Sequence, residues 1–251
     1  MLELVREHPR YGYRHVWSLL RREGWRVNRK RIYRLWRAEG LKVPQKQRKR
    51  RYLGHSANGC ARHRAERKDH VWAWDFIHDR TAEGRPLKWL SIVDEYTREC
   101  LALEVGRGLT ADRVIEVLSE LFAVRGVPEY IRSDNGPEFI AAAIRSWLTQ
   151  AGVEALYIEP GSPWENGYAE SFHSRLRDEL LNGEEFTTLA EARALSTAWR
   201  LEYNHRRPHS SLGYRTPAEF AAGCAAASVR DKPSLQQQHS RKSERSPLPV
   251  T

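Results

Sequence analysis

Three carboxylates stand out for their chemistry: Asp75 in VWAWDFI, Asp134 in YIRSDNGPEF and Glu170 in PWENGYAESFHSRLRDEL. The first two belong to short β-like runs and the third to a helix-like run. Between Asp134 and Glu170 lie 35 residues. Acids placed this way can converge at one edge of a sheet and hold two divalent metals. Two ions ~3.5–4 Å apart clamp the attacking and leaving oxygens of a phosphodiester. Oxygen ligands and a phosphate substrate favour Mg²⁺ or Mn²⁺. The pattern predicts a metal-dependent phosphoryl-transfer enzyme acting on nucleic acid. Asp75, Asp134 and Glu170 are its expected catalytic residues and metal ligands, with Asp75 bridging both ions.

The neighbours of each acid fit that expectation. Strand side chains alternate, so Trp74 and Phe76 share the face opposite Asp75. A lone acid in an apolar strand is costly to bury, and a metal supplies the counter-charge. Asp134 opens SDNGPEF directly after a strand, where sites in α/β folds form. Asn135 and Gly136 allow a tight turn there. Glu138 reads as a helix cap, or as an acid that supports the ligands from behind, rather than as a ligand itself. Phe172, Leu176 and Leu180 recur at helical spacing, and Glu170, His173 or Ser174, and Arg177 form the adjoining polar stripe. His173 and Arg177 are therefore expected to contact DNA phosphate.

These acids need a sheet to carry them and a charge to bring the substrate. Of the 251 residues, 1–70 hold 21 Lys and Arg against 6 Asp and Glu, a net of +15; the rest hold 21 against 26, a net of −5. A basic arm grips phosphate while a mildly acidic body holds cations. Within the arm, residues 12–23 place Val16, Leu19 and Leu20 on one helical face, with Gly24 as a stop. Asn28 caps a second helix with Ile32, Leu35 and Trp36 inward and Gly40 at its end. This is a helix-turn-helix-like unit, residues 1–41. Arg29, Lys30, Arg31, Arg34 and Arg37 leave its second helix basic on the outside. Residues 42–69 read as a basic linker, whose Lys46, Arg48, Lys49, Arg50 and Arg51 can lie along a DNA backbone.

From residue 70 the pattern is three strand-like runs, then helix, strand, helix, strand and helix. That order fits a ribonuclease-H-like α/β layer with a mixed sheet, spanning 70–222 with a helical extension. RTPAEFAAG reads as a short final helix. Residues 223–251 read as a disordered tail. Cys60, Cys100 and Cys224 form no disulfide framework and no Cys-x-x-Cys zinc pattern. No apolar run approaches a membrane span, so the expectation is a soluble cytoplasmic protein without a membrane partner.

WDF, SDNGPEF and SPWENGYAESFHSRLRDEL resemble the acidic triad of the DDE integrase core, which bacterial insertion-sequence transposases share with retroviral integrases. YNHRRPHSSLGYRTPAEF resembles the tail motif of transposases encoded in a second reading frame. HPRYGYRHVWSLLRREGWRVNRKRIYRLWRAEGL resembles the small helical segment before their core. The resemblance covers residues 8–222. It implies 3′-end cleavage and strand transfer, with the three acids as ligands and with DNA, as element terminal inverted repeats and target, for partner. It also implies a homo-oligomer on DNA, because two element ends must be joined. Arg177 matches a basic position of the family motif. Tyr203, Asn204, Arg207 and His209 match the tail motif, in a structural or DNA-facing role, and Arg207 is taken as a DNA contact. The chain opens inside the small helical segment. Recognition of element ends is therefore expected to involve an upstream-frame helix-turn-helix protein. Two other readings remain: a ribonuclease-H-like nuclease or resolvase, and a truncated DNA-binding remnant.

Overall fold

The computed structural model describes residues 1–43, 64–133, 138–157 and 167–230. The N-terminal unit has three helices, α1 Leu2–Glu7, α2 Tyr13–Arg22 and α3 Arg29–Ala38. The Asn28 side chain caps α3, accepting from the Arg31 backbone N–H at 2.8 Å. Trp17 Nε1 donates to the Val27 carbonyl at 2.9 Å and ties the α2–α3 turn to α2. Leu4, Tyr11, Val16, Leu20, Ile32 and Trp36 form its small core. Leu35, expected inward, is 42% exposed. Ile32 and Trp36, one turn apart, already fill the seam, and Leu35 lies beside that stripe. The sequence reading missed α1, whose single buried residue, Leu4, leaves no helical period to detect.

The body is a five-stranded sheet in the order β3-β2-β1-β4-β5. The strands are β1 Val71–Arg80, β2 Pro86–Asp94, β3 Cys100–Gly106, β4 Tyr130–Ser133 and β5 Glu154–Tyr157. The first three form an antiparallel meander, while β4 and β5 run parallel to β1. Strand alternation divides the side chains. Trp72, Trp74, Leu90 and Ile92 face α4 (Ala111–Arg125) and α5 (Glu138–Gln150), with Val114, Leu118, Ile144 and Leu148 against them. Ile77, Leu87, Trp89 and Val93 face α6 (Gly167–Leu176) and α7 (Leu189–His205). Helices thus cover both faces, as a mixed sheet buried on two sides requires. Trp89 is fully buried, and its Nε1 donates to Ser196 Oγ at 2.8 Å. Thr110 caps α4, its side chain accepting from the Arg113 backbone N–H.

A π-helical turn, Arg177–Leu181, follows α6, and the chain ends its described part in α8, Pro217–Arg230. The final helix is longer than the sequence implied and enters the stretch assigned to the tail from 223. Its small apolar residues, AAGCAAAS, offer little periodicity, which conceals the helix in the sequence. The N-terminal unit docks on the segments around α7 and α8. Arg22 forks onto Glu219 at 2.7 and 2.6 Å and donates to the Tyr214 carbonyl at 3.1 Å. Cys100 and Cys224 are free thiols.

Candidate active site

β1 sets Asp75 on the face away from Trp74 and Phe76, as strand alternation requires. Its Oδ1 accepts from the Phe76 backbone N–H at 2.7 Å, and its Oδ2 lies 3.5 Å from His173 Nδ1. His173 Nε2 is 2.9 Å from Ser91 Oγ, and the same hydroxyl is 3.2 Å from the Asp75 carbonyl. Ser91 is the cross-strand partner of Asp75 on β2. The carboxylate thus meets its own strand and α6, while Ser91 of β2 braces the Asp75 backbone and His173. Burial, with the Arg177 charge adding to it, pushes the His173 imidazole down to about 4. It is neutral at physiological pH, so its contact with Asp75 is polar rather than ionic.

α6 packs against β1. Glu170 lies three residues before His173, so the two are neighbours on the helix surface, with Cβ atoms ~5–6 Å apart. The helix that touches Asp75 through His173 thus carries Glu170 beside it, with the Glu170 side chain exposed. Arg177 is exposed at the start of the π-helical turn. Such turns appear often at functional sites. Asp134 lies outside the described residues. It follows Ser133, the last residue of β4, and β4 pairs in parallel with β1 next to Asp75. Among the described residues no three His, Cys, Asp or Glu side chains form a cation cluster. Two of the three expected ligands belong to that set. Both offer hard carboxylate oxygens, the donor type that Mg²⁺ and Mn²⁺ take.

Two acid–base pairs near the site have no signal in the local sequence. Arg132 of β4 donates to Glu95 at 2.8 Å, with both side chains buried, and so fastens β4 to the β2–β3 turn. Arg207 donates twice to Glu179 Oε1, at 2.7 and 3.0 Å, and once to Oε2, at 2.9 Å. This corrects the expectation that Arg207 contacts DNA: it is 5% exposed and clamps the π-helical turn that follows α6. Its guanidinium carbon also lies 5.4 Å from the Tyr11 ring centre and 5.9 Å from that of Tyr203. Asn204 uses its side-chain amide to pair with both the N–H and the carbonyl of Cys100, each at 2.9 Å, which fastens α7 to β3. The tail motif is structural at these positions.

The other expected DNA contacts divide plainly. Arg29, Lys30, Arg31 and Arg34 are all exposed on α3. Lys46, Arg48, Lys49, Arg50 and Arg51 lie outside the described residues.

The family described as integrase core domain matches residues 65–163, and a second family of that description matches 151–217. A family described as HTH-like domain matches residues 1–50. The chain is 41% identical over 222 residues to a 31.7 kDa protein of insertion element IS407 from Burkholderia multivorans, covering 88% of this chain and 79% of that protein. It is equally similar to a 39.2 kDa protein of insertion element IS476 from Xanthomonas euvesicatoria, where it spans only 63% of the relative's length. It is 30% identical over 251 residues to the transposase InsD of insertion element IS2 from Escherichia coli, covering 93% of this chain and 80% of that one. Among solved structures, the catalytic core of the HTLV-2 integrase superposes with a TM-score of 0.51 at 18% identity, covering 63% of this chain and 99% of that core. A simian T-cell lymphotropic virus intasome gives a TM-score of 0.55 at 19% identity over 90% of this chain and 71% of that one. These likenesses establish the fold as that of a retroviral integrase core.

Proposed function

Since the chain belongs to the insertion-element transposases with an integrase core, we propose that it catalyses metal-dependent 3′-end cleavage and strand transfer of an insertion-sequence element. The observation that carries this reading is the packing of α6 on β1, in which His173, one helical turn after Glu170, lies 3.5 Å from Asp75, on the strand next to the one that ends one residue before Asp134. These three acids are the ligands we assign to two Mg²⁺ or Mn²⁺ ions. The HTLV-2 core was solved in complex with magnesium, which agrees with that choice. When bound, the ions supply Lewis-acid activation of the attacking and leaving oxygens.

The protein's own groups do the rest. Neutral His173, backed by Ser91, orients the Asp75 carboxylate without competing as a cation for its oxygens. Exposed Arg177 meets a DNA phosphate. Arg29, Lys30, Arg31 and Arg34 on α3 grip the backbone near the element's terminal inverted repeats, and Lys46, Arg48, Lys49, Arg50 and Arg51 extend the grip towards the core. Two ends must be joined to a target, so the active form is a homo-oligomer on DNA, with an upstream-frame helix-turn-helix protein as a further partner in end recognition. Among the described residues no helix is long and apolar enough to cross a membrane. A DNA substrate places the protein in the cytoplasm, at the nucleoid.

The test is cleavage and joining of labelled duplexes carrying the repeats that flank the gene, with Mg²⁺, by the native chain and by Asp134→Asn. Metal-dependent 3′-end joining that the substitution abolishes supports the transposase. Activity confined to RNA–DNA hybrids or four-way junctions would replace it with a nuclease or resolvase. Binding without cleavage would indicate a DNA-binding remnant.

A further inference from the structure

A cavity of about 320 Å³ opens where α2, the β2–β3 turn, α6 and the segment after α7 meet. Three arginines and two histidines line it, and no lining residue is acidic. The larger cavity beside α1, about 670 Å³, mixes five acids, among them Glu179 and Glu202, with Arg6, Arg10 and Arg207. Of the two hollows, only the smaller one has cations with no acid in its lining.

Arg207, one of the three arginines, is committed to Glu179. Among the described residues no carboxylate pairs with the other two, Arg98 and Arg175. The Arg98 guanidinium lies 3.6 Å from the ring centre of Tyr168, and its Nη1 is buried without a hydrogen-bond partner. His209 Nε2 in the same lining is also buried without a partner. A buried charged donor left unmade is costly, and native structures seldom keep one without a use for it. The Arg98 backbone is left-handed, φ 66°, a conformation that a side-chain-bearing residue rarely adopts and that clusters at ligand clamps. Burial, followed by the charge of Arg207, pushes His15 down to about 4 and His209 to about 2. Both are neutral, so the positive charge belongs to the arginines, and a neutral imidazole can still donate from Nε2.

We propose that this cavity is a phosphate subsite that takes one phosphodiester of the bound DNA, with Arg98 and Arg175 as its charge partners and His209 with the Ser210 and Ser211 hydroxyls as neutral donors. The assignment rests on the reading of DNA as substrate. Tyr168, Ser171 and Arg175 line the cavity from one flank of α6, while Glu170, His173 and Arg177 occupy the other. Ala169, Phe172 and Leu176 are buried between them. A helix with its side chains is ~10–12 Å wide, so the phosphate held here is not the one that reacts. It fixes the register of the strand against the catalytic helix. Because α2 contributes His15, filling the cavity also fixes the N-terminal unit relative to that helix.

The full chain, Arg98→Gln and Arg175→Gln are compared for binding to a 30-base-pair duplex across a salt series. Each variant is expected to bind about tenfold more weakly at low salt and to lose about one unit of the slope of log affinity against log salt. A methylphosphonate walked along the duplex adds a readout that misfolding cannot mimic. One neutralised linkage should weaken the native chain and leave both variants unchanged. If Arg98→Gln fails to fold, partly exposed Arg175 carries the same comparison. Native affinity and slope in the variants, or no linkage that distinguishes them from the native chain, overturns the proposal. Calorimetry with inorganic phosphate is the second arm: phosphate binding with unchanged DNA affinity in the variants assigns the cavity to a free anion and also overturns it. Asp75→Asn, assayed alongside for 3′-end joining, keeps the two readings apart. Joining that survives this substitution sinks the transposase chemistry and leaves the subsite result standing.

Discussion

Two arginine-rich regions of this molecule use the same side chain in opposite ways. On α3, Arg29, Arg31, Arg34 and Arg37 are all exposed, Arg29 with its guanidinium carbon 5.9 Å from the Trp17 ring centre, and only Ile32 and Trp36 are buried. In the tail motif, Arg207 is enclosed, forked onto Glu179 and packed near Tyr11 and Tyr203. The difference lies in what meets the guanidinium. On α3 the nearest apolar surface is a narrow stripe that two residues fill, so the cations stay outside. In the tail an aromatic wall and a carboxylate 28 positions away in sequence receive the cation. A count of arginines identifies an electrostatic surface only where no acid waits in the fold to take them.

Breaking the clamp should have the largest effect. Arg207→Ala leaves Glu179 as an unpaired, largely buried charge, and unfolding free energy measured by urea titration should fall by about 3–5 kcal/mol. A drop below about 1 kcal/mol would mean that the pair is solvated and that the two regions are more alike than the geometry indicates. Replacing both partners by apolar residues of similar size should recover much of the loss, which a double-mutant cycle would show.

Acidification comes next. The lowered imidazoles of His15, His173 and His209 bind fewer protons in the folded chain than in the unfolded one. Stability should therefore be fully present above pH ~6.5 and decline as pH falls, by up to ~1.4 kcal/mol per pH unit for each histidine, down to about pH 4 for His15 and His173 and lower for His209. Melting temperatures between pH 7 and 5, above the ordinary carboxylate range, give the check. His209→Gln should reduce the slope and leave the part that His15 and His173 contribute. A curve that is flat in the native chain would contradict the burial of all three rings.

The dock between the N-terminal unit and α8 should matter less. Arg22 and Glu219 are partly exposed, so Arg22→Ala should cost about 1 kcal/mol or less. The smallest effect on stability belongs to α3. Arg34→Gln should change unfolding free energy by less than about 0.5 kcal/mol yet reduce the salt slope of DNA binding by about one unit. A stability loss as large as that of Arg207→Ala would erase the distinction between the two regions.

The sequence makes some of this plain and conceals the rest for physical reasons. Strand alternation at Trp74, Asp75 and Phe76 predicts which face the carboxylate takes, because a period of two is a local property. The caps at Asn28 and Thr110 are equally local, as each side chain bonds a backbone N–H three residues on. The pairs Arg207–Glu179, Arg132–Glu95 and Arg22–Glu219 join residues 28, 37 and 197 positions apart, and only the folded chain brings them together. His173 falls between these cases. Its helical spacing from Glu170 is visible, but its contact with Asp75 depends on α6 crossing β1. Leu35 shows the converse, an apolar residue left outside because its neighbours already fill a small core.

The central claim is that one set of carboxylates performs strand transfer. The most direct measurement is Mg²⁺-dependent joining of a labelled 3′ end by the full chain and by Asp75→Asn at matched DNA occupancy. The variant should bind DNA with native affinity and join nothing; joining at a native rate would contradict the assignment of Asp75.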